Sequence, residues 1–372
     1  VQRGGDHVPV LKKEKDAKIA HKAERHIRLF PPDSRPAVLN AVRPVYQQRG
    51  GIGDGGGEQQ KQRVARVPAH VKEIAARQQK HPAQPRGQRV IAHDHPKQKH
   101  KSGFMDQLIV LGTGNAVVTK CYNTCFAVKT EGGVILCDAG GGNGILVQLE
   151  RAGIAWPDIH HVILTHAHCD HLLGAVWVLR LIGTQMLRGS YAGELHVHCD
   201  PDVEQGLRQM ASLTLQKKVC DLIGGRILFH PVSDGHTARL AGLEATFFDI
   251  HSTKLRQFGF SLTLSAGEKL CCLGDEPYNP ACAGYVAGAK WLLCEAFCLY
   301  GDRERFKPYE KHHSTVKEAC ELAQSLRVPN LVLWHTEDKR IAERKRLYGE
   351  EGRTYYSGAL YVPDDLEVIP LN

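Results

Sequence analysis

Thr165-His166-Ala167-His168-Cys169-Asp170-His171 decides how the rest of this 372-residue chain is read. Just before it, Val162-Ile163-Leu164 has the unbroken apolar character of a short buried strand. Just after it, Leu172-Leu173-Gly174-Ala175-Val176-Trp177-Val178-Leu179 reads as the start of a helix. A turn between strand and helix can aim several side chains into one small volume. Neutral imidazole nitrogens ligate zinc and similar borderline metals, and a carboxylate adds a hard, negatively charged oxygen. As ordinary core, three His and one Asp within six residues would each need a hydrogen-bond partner. The stretch predicts a metal site.

Composition splits the chain. Residues 1–104 hold 22 Lys and Arg against 9 Asp and Glu, a net of +13, whereas 105–372 hold 26 against 31, a net of −5. The overall +8 describes neither part, and any attraction to nucleic acid read from it belongs to the first. That first segment is dominated by Gln, His, Arg, Pro and Gly, too little apolar surface to offset the entropy of ordering. It reads as a low-complexity basic segment, disordered, either a nucleic-acid-attracting tail or a translation artefact upstream of a start at Met105. The artefact is the preferred reading, since Met105 opens directly into strand-like Leu108-Ile109-Val110-Leu111. All twelve Cys follow residue 120 and none forms a Cys-x-x-Cys pair, which argues against a zinc ribbon and fits a reducing, cytoplasmic setting. No apolar run approaches the roughly 20 residues a membrane helix needs, so no membrane partner is expected.

From 105 onward the pattern is that of one domain, 105–372. Strands are predicted at Leu108–Leu111, Thr124–Val128, Gly133–Cys137, Glu194–Cys199, Ile227–Val232, Leu243–Phe248, Phe258–Leu264, Lys269–Leu273, Trp291–Phe297 and Asn330–Trp334. Helices are predicted over Ile145–Arg151 and Pro201–Lys218 and from Val316, where Val316, Ala319, Cys320 and Ala323 share an inward face. A helix and closing strands fill Ile341 to Asn372. Gly112-Thr113-Gly114 lacks the third glycine and following helix of a dinucleotide-binding turn. His196 and His198 repeat the His-x-His spacing, but no Asp-His follows and they read as ordinary strand residues. Asp275 follows a strand, where its two oxygens could bridge two metals or simply serve a turn. Glu295 and His335 also end strands.

The His-x-His-x-Asp-His signature after a strand resembles that of the metallo-β-lactamase-fold hydrolases. The resemblance implies an α/β fold, a four-layer αββα sandwich, with a pair of divalent metal ions, zinc by preference, at the rim of its two sheets. It implies that His166, His168 and His251 bind the first metal, that Asp170, His171 and His335 bind the second, and that Asp275 bridges them. Asp138 in Asp138-Ala139-Gly140-Gly141-Gly142 would orient the ligands, or else cap the helix that follows. His313-Ser314-Thr315 ahead of a helix is similar to the ribonuclease Z branch (tRNA 3′-processing endonucleases), where the matching histidine helps protonate the leaving oxygen. The hydroxyls and helix amides beside it would suit a phosphate. The implied activity is metal-dependent cleavage of a phosphodiester: metals polarise the phosphoryl oxygen and acidify a water, Asp170 orients or deprotonates it, and His313 acts as general acid. RNA, tRNA or a small phosphodiester is the implied substrate, and a homodimer the implied assembly.

Two features depart from that branch. Its enzymes carry a long tRNA-gripping arm between the positions of His251 and Asp275, where this chain has only 23 residues. Glu276 stands where Thr is common, and the domain is net acidic, which weakens binding of a large polyanion. The rival readings are a hydrolase of a small thioester, lactone or cyclic nucleotide on the same metals, and a non-catalytic RNA- or metal-binding protein.

Overall fold

In a computed structural model of the chain, which describes residues 105–371, two seven-stranded sheets pack face to face. The expectations for residues 1–104 lie outside the described residues. The first sheet is built from β1 (Gln107–Gly112), β2 (Cys125–Thr130), β3 (Gly133–Cys137), β4 (Ile159–Leu164), β5 (Leu195–Cys199) and β6 (Ile227–Pro231) in sequence order, with β14 (Val368–Pro370) beside β1. The second runs in order from β7 (Thr237–Leu240), β8 (Leu243–Asp249), β9 (Phe258–Thr263) and β10 (Lys269–Cys272) to β11 (Trp291–Glu295), β12 (Asn330–Trp334) and β13 (Ala359–Tyr361). In each sheet the first four strands pair antiparallel and the remaining pairs are parallel.

Parallel neighbours need a crossover, and helices supply it. Helices α1 (Gly144–Arg151), α2 (Cys169–Leu187) and α3 (Pro201–Thr214) follow β3, β4 and β5, whereas α4 (Val316–Ser325) and α5 (Arg344–Gly352) follow β11 and β12. The helices coat the outer faces, which produces three apolar cores. Val162, Leu164 and Val197 pack under the first helices, Ile163, Phe247 and Phe260 fill the space between the sheets, and Leu292, Leu331, Val316 and Ala319 pack under α4. Successive residues of β4 thus serve different layers, as the two-residue period of a strand requires. The expected four-layer αββα sandwich is what forms.

Two details differ from expectation. The helix predicted over Pro201–Lys218 stops at Thr214, whose hydroxyl bonds back to the Met210 carbonyl at 2.6 Å, and Leu215 is extended. The strand β7 was not predicted, because four residues with two exposed carry little apolar pattern. Among the described residues no helix is long and apolar enough to cross a membrane.

Ligands in sheets of parallel strands gather beyond the carboxyl ends, where loops leave the ladder. Asp138, His166, Asp275 and His335 all stand just past such ends, of β3, β4, β10 and β12, and Glu295 closes β11. Two bonds lock the rim: the Phe258 N–H donates to Thr165 O at 3.1 Å, and the Thr336 N–H to Thr113 O at 2.9 Å.

Candidate metal centre

The six-residue cluster divides between loop and helix. His166 and His168 lie on the extended connection after β4, and Asp170 and His171 fall in the first turn of α2, where a negative side chain suits the helix dipole. That turn is pinned to the loop after β3. The Ala139 N–H donates to His171 O at 3.0 Å and the Gly174 N–H to Gly140 O at 2.8 Å. Gly174 is required there, since any Cβ would collide with the Ala139 carbonyl. Gly274, at φ +79°, turns β10 so that Asp275 faces the same spot.

Asp275 is the centre of the geometry. Its Oδ2 lies 3.6 Å from His166 Nε2, 3.5 Å from His171 Nε2 and 3.4 Å from His335 Nε2. Asp170 Oδ2 is 3.5 Å from both His171 Nε2 and His335 Nε2, and His168 Nδ1 is 2.8 Å from His166 Nε2. Three triads emerge, His166–His168–Asp275, Asp170–His171–His335 and, sharing His335, Glu295–His313–His335, each with donor atoms within 4.8 Å of one another. Six of the seven residues read as ligands are thereby brought together. Asp138 and His335 adopt left-handed backbone, at φ 53° and 55°, a strain that clusters at functional sites.

His251 is the exception. It is exposed and is not grouped with the other donors, its backbone sits at φ 59°, and its N–H is tied to Asp249 Oδ1 at 2.7 Å. Beside His166 stands Gln257 instead. Its Nε2 is 2.9 Å from His166 Nδ1 and donates to Asp275 Oδ1. Sequence reading missed Gln257, and its position directly before β9 was the only signal available.

Asp138 orients and does not cap. It accepts the Thr165 N–H and hydroxyl, both at 2.8 Å, and its Oδ2 is 2.7 Å from His171 Nδ1. The opposite nitrogen, His171 Nε2, is then aimed at the two aspartates, buried and with no hydrogen-bond partner; both His335 ring nitrogens are likewise unpartnered. Orphaned buried nitrogens facing carboxylates, with second-sphere partners that set ring orientation, are what a divalent ion requires, and zinc suits such His and carboxylate donors.

Electrostatics agree. Burial pushes His166 down to about 3 and lowers His168, keeping these imidazoles in the neutral, ligating form. Burial alone would raise Asp275, but His166, His171 and His335 outweigh it and hold the carboxyl well below its usual range. Asp170 is also lowered, its burial outweighed by His335 and His171. His171 is raised despite burial by Asp138 and Asp275, the same field that would favour a cation at this point.

His313 borders the cluster. It is buried, its ring stacks on Phe297 at 4.8 Å and lies 5.1 Å from that of His335, and its Nδ1 is 3.4 Å from Glu295 Oε2. Burial lowers it, but the nearby Glu295 carboxylate prevails and raises the imidazole above its ordinary value. The backbone around it is less open to phosphate than expected. Glu295 takes the Ser314 N–H, and Glu318 takes the Thr315 N–H and hydroxyl in a capping box. A cleft of about 380 Å³ opens over the cluster, walled by Asn115, Val117 and Phe297 and flanked by Lys254 and Lys311.

Comparison with known proteins places this geometry. Residues 134–336 match the family model of the beta-lactamase superfamily domain. Ribonuclease Z of Bradyrhizobium sp. (strain ORS 278) is 28% identical over 295 residues, 66% of this chain and 95% of that protein. The metallo-beta-lactamase fold protein YhfI of Bacillus subtilis aligns with a TM-score of 0.57 at 16% identity, over 72% of this chain and 99% of that one. Human tRNase Z, short form, aligns with a TM-score of 0.56 at 20% identity, over 72% and 99%.

Proposed function

The chain belongs to the beta-lactamase superfamily, and from that premise we propose that it is a ribonuclease Z-like, metal-dependent phosphodiesterase. The observation that carries the reading is the meeting of three imidazole nitrogens, two from the β4–α2 turn and one from beyond β12, within 3.4–3.6 Å of one carboxylate oxygen, Asp275 Oδ2. His166 and His168 would hold one divalent ion and Asp170, His171 and His335 a second, with Asp275 between them. Such ions, zinc by donor type, supply Lewis-acid polarisation of the phosphoryl oxygen and a more acidic water.

The chain's own groups do the rest. Asp170, held ionised, would orient the attacking water. His313, its pKa raised by the neighbouring Glu295, would donate to the leaving oxygen. Phe297 fixes the plane of the His313 ring, and Lys254 and Lys311 offer positive charge at the cleft mouth for a phosphodiester. The name of the Bradyrhizobium relative and its 95% coverage support RNA as substrate. A smaller phosphodiester is the second reading, favoured because only 23 residues separate His251 from Asp275 and β9 and β10 take ten of them, leaving little chain for an RNA-gripping arm there.

The test is a side-by-side assay of the metal-loaded chain on pre-tRNA, bis-p-nitrophenyl phosphate, a cyclic nucleotide, a thioester and a lactone. Phosphodiester cleavage should lead. Preferential turnover of the thioester or lactone would overturn the proposal.

A further inference from the structure

A second group of histidines, untouched by the hydrolase reading, stands within the strands of the first sheet. The parallel register sets His161 beside His196 and His198 beside His230, and the two-residue period puts His196 and His198 on one face. Ring centroids are 5.2 Å apart for His161 and His196, 5.1 Å for His196 and His230, and 4.8 Å for His198 and His230. Phe247 of the opposing sheet stacks against His198 at 5.9 Å. His196 Nδ1 lies 2.9 Å from His230 Nε2. His198 is only 4% exposed, yet neither of its ring nitrogens has a partner, and His161 Nδ1 is also buried and unpaired. Native interiors seldom leave such atoms unmet, so each asks for an explanation.

We propose that His196, His198 and His230 form a second cation site, for a divalent ion of borderline softness such as zinc, nickel or copper. The ion ties β5 to the edge strand β6. Zinc–nitrogen bonds of about 2.0–2.1 Å put two ligand nitrogens on one tetrahedral ion roughly 3.3 Å apart, close to the spacing His196 and His230 already have. As the rings stand only the His196 and His230 nitrogens are paired; His198 would complete the set by turning about its χ2 torsion, which is broad for an imidazole. Burial, reinforced by the neighbouring imidazoles, pushes His198 down to about 3 and His161 to about 4, so both are neutral near pH 7 and able to ligate. The nearest carboxylate to the cluster's rings is Glu194, at 3.8 Å from His196 Nε2 and about half exposed, so the donor set favours nitrogen-seeking metals over calcium or magnesium. The His196 side chain is 27% exposed, which gives an ion a way in from solvent.

The full chain, stripped by chelator and re-equilibrated with zinc, is compared with its His196→Gln/His230→Gln variant by counting bound metal after gel filtration. The wild type should carry one more zinc per chain, with phosphodiester turnover the same in both. Histidines in residues 1–104 are common to the two chains and cancel. Equal zinc counts in two folded proteins overturn the site. Should the double variant fail to fold, His230→Gln alone, on the partly exposed edge strand, should bind the extra zinc about tenfold or more weakly. Unchanged affinity there also overturns it.

Discussion

Two His-x-His pairs in one sheet meet opposite surroundings. His166 and His168 stand beyond the end of β4, where loops from both sheets converge and two buried aspartates face the rings. His196 and His198 stand inside β5, where the ladder holds the rings of neighbouring strands 4.8–5.2 Å apart and no buried carboxylate joins them. The residue types match and the placement does not. A strand end allows many donors to meet at a point and adds charge to bind and activate; a strand interior offers only its neighbours.

The contrast breaks most visibly at Asp275. Asp275→Ala should abolish phosphodiester turnover and bound metal at the rim together, read by activity and metal analysis, because three imidazoles lose their common carboxylate. Retained turnover would remove the strand-end cluster from the chemistry. His313→Ala should leave that metal in place and slow turnover about 10²–10⁴-fold, the usual cost of a lost general acid. An unchanged rate would make His313 a packing residue on Phe297. Asp138→Asn keeps the shape and weakens the hold on His171, so metal affinity or turnover should fall about 10–100-fold.

The smallest effect belongs to the strand-interior cluster and concerns stability alone. His198 titrates near 3 in the folded chain against 6.5 when free, so the unfolded chain takes up its proton first as pH falls. Stability should therefore decline from about pH 6.5 downward, by roughly 1 kcal/mol per pH unit for this one group. Urea unfolding at pH 7, 6 and 5 reads it, and His198→Phe should flatten the slope. A wild-type stability independent of pH over that range would place His198 in water.

The legible parts of the site are those written locally. His166, His168, Asp170 and His171 fit in six residues across one strand–helix turn, and Asp275 and His335 each follow an apolar run that ends abruptly. The αββα layering was legible through the same runs and, beyond that, through family resemblance. His251 follows a strand like the others, but it is exposed and its backbone is a left-handed residue tied to Asp249, a local turn geometry that no pattern of residue types reveals. Gln257 was invisible because an amide carries no metal-ligand signature; only its contacts with His166 and Asp275 expose it. The histidine stack was hidden differently: His161 and His230 join His196 and His198 only through strand register.

The most direct test is an anomalous-scattering map from crystals of the zinc-loaded chain, collected at the zinc edge. Two peaks should flank Asp275, each about 2.0–2.2 Å from one of its oxygens, one beside His166 and His168 and the other beside His171 and His335. A map with no peak within bonding reach of Asp275 would contradict the account.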